Sequence, residues 1–236
     1  MLPEPVSQAL GLFVDAARAA FGDHLRSVIL FGSAAEEKLR ATSDVNVLVV
    51  VRALDRGQLD AFREPLRNAQ AAIKLQSMLI LESELPQAAE AFANKFDDIR
   101  RRHVVLAGDD VVKTLTIPRD ALARRVRQVL LNQTLRLRDA YAERSQQDER
   151  AAAAIADAAG PLRAAAAAIL ELEGRPASDP KTALATVVGD SEFASILPHI
   201  SEAREQRMLA PGTAAGVLFD LGRLAQWMHQ RATVTP

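Results

Sequence analysis

FGSAAEEKLRATSDVNVLVVV, residues 31–51, is the stretch on which the reading of the fold turns. A short apolar strand, 27–31, runs directly into Gly32-Ser33. Ser43-Asp44-Val45-Asn46 begins ten residues after Ser33, and 47–51 is an uninterrupted run of Val and Leu. A run that is apolar at every position marks a strand buried on both faces, so 44–51 is expected in the middle of a sheet. Gly32 lets the backbone approach a ligand closely, and successive N–H groups with the Ser33 hydroxyl can cradle a phosphate. A helix starting at Ala34 would add the partial positive charge of its N-terminus. Asp44 and Asn46 are two apart on a strand and so point to one side. Two oxygen-bearing side chains there suit a hard cation such as Mg²⁺. Taken alone, they serve equally as caps of the turn before the strand.

Outward from this stretch, the first half alternates helix and strand. Val6, Leu10, Phe13, Val14, Ala17 and Phe21 recur at helical spacing, with Gly22 as the stop. Leu59, Phe62, Leu66, Ala69 and Ile73 define a second amphipathic helix, in which Pro65 predicts a kink or break. A third strand is expected over 76–81, two short helical pieces over 86–99, and a strand or extended connection over 102–107. After Pro118 the pattern becomes helical throughout: a long stripe from Leu122 to Tyr141, an Ala-rich helix near 151 with a restart at Pro161, an Asp179-Pro180 start, and a last helix on Val217, Leu218, Leu221, Leu224, Ala225 and Met228. The expected class is α+β: a small mixed-sheet domain over 1–115, then an antiparallel helical bundle over 116–236.

Composition sets the outer bounds. The 236 residues carry 29 basic and 30 acidic side chains, a net charge of −1. No global attraction to nucleic acid or to an anionic membrane follows from that balance. There is no cysteine, which excludes disulfides, thiolate metal sites and a cysteine nucleophile. Residues 1–5 lack a basic region followed by an apolar core, and Asp157, Gly160, Pro161 and Arg163 interrupt the Ala-rich run. A cytoplasmic protein with no membrane partner is therefore expected. His24, His199 and His229 show no metal-ligand spacing, and Tyr141 and Trp227 are too isolated to suggest base stacking.

The combination of strand, Gly32-Ser33, Ser43-Asp44-Val45-Asn46 beginning ten residues on, and a buried strand resembles the nucleotidyltransferase superfamily. Residues 92–110, FANKFDDIRRRHVVLAGDD, also resemble a segment of uncharacterised bacterial nucleotidyltransferase-domain proteins with a C-terminal helical bundle. The resemblance implies a mixed-sheet palm, a nucleoside triphosphate held by Gly32 and Ser33, and metal ions held by carboxylates. Transfer of a nucleoside monophosphate to an acceptor would follow. Asp44 matches the first carboxylate of the pattern, and Asn46 stands where the second is expected.

Three departures bear on chemistry. Asn46 offers an amide oxygen without charge. The lost attraction to a divalent ion is roughly 8 kcal/mol at about 4 Å and an effective dielectric of about 20, before desolvation is deducted. The superfamily commonly takes a third carboxylate from the following strand, where it would activate the attacking hydroxyl. Residues 76–81 hold none, which leaves Glu82, just past the strand, as the candidate metal ligand beside Asp44 and Asn46. Glu36 and Glu37 would repel a triphosphate if they faced it, with Lys38 and Arg40 as possible compensation. The basic run Arg100-Arg101-Arg102-His103 reads as exposed surface or as a phosphate grip. Three functions follow: Mg²⁺-dependent nucleotidyl transfer from an NTP to an unidentified acceptor, a catalytically degenerate fold kept for nucleotide binding or protein interaction, or a scaffold whose bundle mediates a homodimer while the palm binds nothing.

Overall fold

The computed structural model describes residues 2–39, 43–177 and 179–234. Arg40, named above as a compensating cation, lies outside the described residues. The chain divides into two compact units, Met1–Ile117 and Pro118–Pro236.

The first unit is built on a four-stranded sheet of β1 (Leu25–Phe31), β2 (Val45–Val51), β3 (Leu75–Leu81) and β4 (His103–Gly108), in the order β3-β2-β1-β4. β1 pairs antiparallel with both β2 and β4, while β2 and β3 run parallel. A parallel neighbour requires a crossover. Helix α2 (Arg56–Ile73) supplies it, starting at a capping box formed by Asp55 and Gln58. Pro65 lies inside α2, and the helix continues through it.

β2 is buried on both faces, as its composition requires. Val45, Val47, Val49 and Val51 pack with α2 and with α1 (Glu4–Phe21), through Phe13, Phe21 and Phe62. Phe62 meets Phe13 and Phe21 at ring-centroid distances of 5.2 and 4.9 Å. Leu48 and Val50 face the other way, toward α3 (Leu85–Ala91) and α4 (Ala93–Arg101), against Leu85, Phe96 and Ile99. Fully burying each such side chain contributes about 1.5–3 kcal/mol, so this one strand anchors both layers. Residues 86–99 form two helical pieces as expected, and 103–108 is a strand.

The second unit is helical among its described residues: α5 (Arg119–Arg144), α6 (Asp148–Leu172), α7 (Pro180–Val188), α8 (Leu197–Gln206) and α9 (Ala214–Val234). Leu122, Val126, Leu130 and Leu137 form the buried stripe of α5. Asp179 caps α7, accepting from the N–H groups of Lys181 and Thr182 at 2.8 and 3.0 Å. α6 is the central element, packed on α5, α7, α8 and α9. It does not restart at Pro161 but runs unbroken from Asp148 to Leu172. Its length and apolar content would suffice to cross a membrane, yet 72% of its most apolar window is buried inside the protein.

Candidate functional site

Gly32 ends β1 with φ of 75°, a left-handed conformation that a side chain would strain. Its N–H donates to the carbonyl of Arg102 at 3.2 Å, which fixes the strand end to the C-terminus of α4. A short 3₁₀ turn, Gly32–Ala34, follows. Its bonds begin with Ala35 and Glu36, both donating to Gly32 O, so the N–H groups of Ser33 and Ala34 stand ahead of the first helical bond. The turn presents these donors where the sequence placed a phosphate cradle.

Beside this turn a row of side chains crosses the sheet. In register, Gln76 of β3 faces Asn46 of β2, Asn46 faces Phe31 of β1, and Phe31 faces His103 of β4. Directly opposed residues share a face. Here it is the face that further along carries Ile29, Leu48, Val50 and Ile80 under α3 and α4. Asn46 is partly buried, and its Nδ2 donates to the backbone carbonyl of Asp44 at 3.4 Å. The same nitrogen lies 3.9 Å from where a Cβ on Gly32 would stand. Asp44 is exposed just ahead of β2. Gly32, Ser33, Asp44 and Asn46 are therefore brought together.

Glu82 is not part of this group. Because β3 is parallel to β2, Asn46 is level with Gln76, whereas Leu81 is level with Val51 at the far end. Six residues of strand at about 3.3 Å each put Glu82 roughly 20 Å from the Asn46 row. There its carboxylate accepts from Arg26 Nε at 2.7 Å and lies 3.8 Å from Arg52. Arg26 also pairs with Asp109. Glu82 is a structural ion-pair partner, and the residue beside Asn46 on the following strand is Gln76. The sequence held the signal: strand, helix, strand implies a parallel pair, which aligns strand starts with each other.

The remaining polar groups around the turn are engaged. Arg100 and Arg101 both pair with the buried Asp97, at 3.1 and 2.6 Å. Arg102 binds Asp98 through two bonds of 2.9 and 2.6 Å and Glu36 through one of 2.6 Å. Burial opposes the Arg102 charge, yet the hydrogen bonds and charges of Asp98 and Glu36 together hold its pKa above the ordinary value. Glu36 thus has its charge balanced by Arg102 and, at 3.6 Å, by Lys38. His103 Nδ1 faces the carbonyls of Ile99 and Arg100 at 3.0 and 3.2 Å, and Nε2 faces Asp110 at 3.0 Å. With both ring nitrogens partnered, His103 secures the start of β4. Within the basic run, Arg100 and Arg101 are engaged inside α4, and Arg102 is the residue that ties α4 to the turn, through Glu36 and Gly32.

One cation of α4 behaves differently. Lys95 lies seven residues before Arg102, on the same helical stripe, and its Nζ sits 5.6 Å from the centroid of the Phe31 ring. Although the residue as a whole is exposed, burial of the ammonium lowers its pKa. No sequence signal singles it out.

Two Mg²⁺ ions held by a carboxylate triad do not fit these residues. Among the described residues no group of three or more His, Asp or Glu is placed to hold a metal ion. Asp44 is one carboxylate beside two carboxamides, Asn46 and Gln76.

No protein-family model matches the chain, and no curated protein matches it. Among solved structures, the fold is similar to that of spectinomycin adenyltransferase AAD(9) from Enterococcus faecialis, solved with ATP and spectinomycin. The TM-score is 0.65 at 14% identity, over 96% of this chain and 99% of that one. The chain thus has a nucleotidyltransferase-like α+β fold, and the likeness includes residues of both units.

Proposed function

We propose that this chain is a nucleotide-binding protein on a nucleotidyltransferase fold that has lost nucleotidyl transfer. The observation that carries the reading is the pairing of Asn46 with Gln76 on adjacent strands beside Gly32. Both positions offer carboxamides where the resemblance calls for carboxylates. A carboxamide keeps the shape and hydrogen-bonding capacity of a carboxylate but has neither its charge nor its basicity. Asn46 therefore contributes little to holding Mg²⁺, and Gln76 cannot take a proton from an attacking hydroxyl. What remains is the phosphate-binding half of the site: the Gly32–Ser33 turn, the N–H groups ahead of its first helical bond and the amides of Asn46 and Gln76.

A second reading, residual transfer supported by Asp44 alone, is favoured by the whole-length likeness to an adenyltransferase solved with ATP and its acceptor. Calorimetric titration of ATP, GTP, CTP and UTP, with and without Mg²⁺, separates the two when combined with a pyrophosphate-release assay. The expected result is binding of at least one nucleotide that survives Asp44→Ala, with no release above background. Turnover that requires Mg²⁺ and disappears in Asp44→Ala would establish the second reading instead. Failure of all four nucleotides to bind would sink both. The double variant Asn46→Asp, Gln76→Glu is expected to gain turnover at least a hundredfold above wild type in Mg²⁺.

A further inference from the structure

The misfit between the site and a metal pair raises the question of what balances the phosphate charge. Four observations converge on one side chain. Lys95 lies on the α4 stripe that also carries Asp98 and Arg102, and Arg102 is bonded through its side chain to Glu36 and through its carbonyl to Gly32 N–H. The ammonium stands over Phe31, the residue immediately before Gly32 and the cross-strand partner of Asn46. Phe31 and Asn46 share the sheet face that α4 covers. Finally, Arg102 is occupied by two carboxylates, whereas Lys95 has no carboxylate within ion-pair distance among the described residues; Asp98, the acid nearest to it in sequence on that stripe, is turned onto Arg102.

We propose that Lys95 supplies the positive charge that carboxylate-held metal would supply elsewhere, so that this site binds the triphosphate of a nucleotide without a divalent cation. The inference rests on the nucleotide-binding reading above and adds the charge-bearing residue and the metal independence. An ammonium set over an aromatic face is under-compensated: the ring attracts it weakly, and partial burial strips water from the charge, which is why its pKa is lowered. A phosphate oxygen arriving at the turn would form the charge-assisted hydrogen bond that Lys95 lacks. The carboxamides suit the same arrangement. Asn46 and Gln76 can donate through their amide hydrogens to phosphate oxygens, which carboxylates would repel. Carboxamides at both positions and a lysine over Phe31, the cross-strand neighbour of Asn46, thus point to one ligand chemistry, a polyphosphate anion bound in place of a metal–polyphosphate complex.

Titration of ATP and of inorganic tripolyphosphate in EDTA and in excess Mg²⁺, on wild type, Lys95→Met and Lys95→Arg, tests this. Both ligands are expected to bind wild type in EDTA, with Mg²⁺ changing the affinity less than threefold. Lys95→Met is expected to weaken binding at least tenfold, and Lys95→Arg to recover most of the loss, since it restores charge on a similar stem. Binding of ATP alone, still weakened by Lys95→Met, supports the role of Lys95 and adds a requirement for the nucleoside. Binding that needs Mg²⁺ and is indifferent to Lys95→Met overturns the inference while leaving the nucleotide-binding reading intact. Absence of binding by wild type under either condition overturns both.

Discussion

The Lys95 ammonium pays an energetic cost for its position, and that cost has a measurable pH signature. Burial lowers its pKa below the ordinary 10.5. Between the lowered value and 10.5 the unfolded chain binds more protons at this site than the folded one, so stability rises with pH across that window. Below the window the penalty is fully present; above it, both states are neutral and the penalty is gone. Lys95→Met, which keeps the aliphatic stem and removes the charge, is therefore expected to be at least as stable as wild type at pH 7 in urea denaturation, with the difference shrinking as pH approaches 10.5. A clear loss of stability at pH 7 would mean that the contact with Phe31 outweighs the desolvation. At this scale the sequence was legible only where neighbours in the chain are neighbours in space. Gly32, Ser33, Asp44 and Asn46 could be named because a strand end and an i, i+2 pair are local features. Lys95 and Gln76 could not, because each reaches the site through a helix packing or a strand pairing that brings distant residues together. Glu82 was misplaced for the converse reason: it follows β3 closely in sequence but sits at the wrong end of that strand.

The elements themselves were readable wherever burial imposed a period. The apolar run 47–51 of β2 and the buried stripe of α5 carry their own signature. Pro65 does not break α2 and Pro161 does not restart α6; both lie within continuous helices. A proline in a helix interior removes one hydrogen bond and crowds the preceding turn, a cost of about 3 kcal/mol or more. α6 tolerates it because most of the helix is buried, including Ala158, Ala159, Leu162 and Ala165 around the proline. Packing of that extent decides the helix against a local preference for breaking. Pro161→Ala should then release the local cost without disturbing the core. Allowing about 0.4–1 kcal/mol for the greater freedom of the unfolded chain, the variant is expected to gain ~2 kcal/mol in chemical denaturation. No gain, or a loss, would show that the proline ring is itself a required packing group.

At the scale of the whole molecule, each unit closes its own core. The sheet of the first is covered on one face by α1 and α2 and on the other by α3 and α4. In the second, α6 is wrapped by the remaining helices, and its polar positions are met within the same unit. Arg163 donates to Ser201 at 2.9 Å, Asp157 accepts from Arg207 at 2.9 Å, and Arg231 of α9 forms two 2.9 Å bonds to Glu173, just past the end of α6. A helix as apolar as α6 would aggregate or seek a membrane if these neighbours did not cover it, so its burial is a property of the bundle as a unit. The fragment beginning at Pro118 should therefore fold without the first unit. Circular dichroism of that fragment is expected to show a helical spectrum and a single cooperative thermal transition, with the protein remaining in solution without detergent. A helical but non-cooperative melt, with dye-binding apolar surface, would mean that the bundle core is completed only in the full chain. The same fragment gives a control for the site: with Gly32, Asn46 and Lys95 absent, it should bind neither ATP nor tripolyphosphate, and any binding it retained would move the anion site out of the sheet unit altogether.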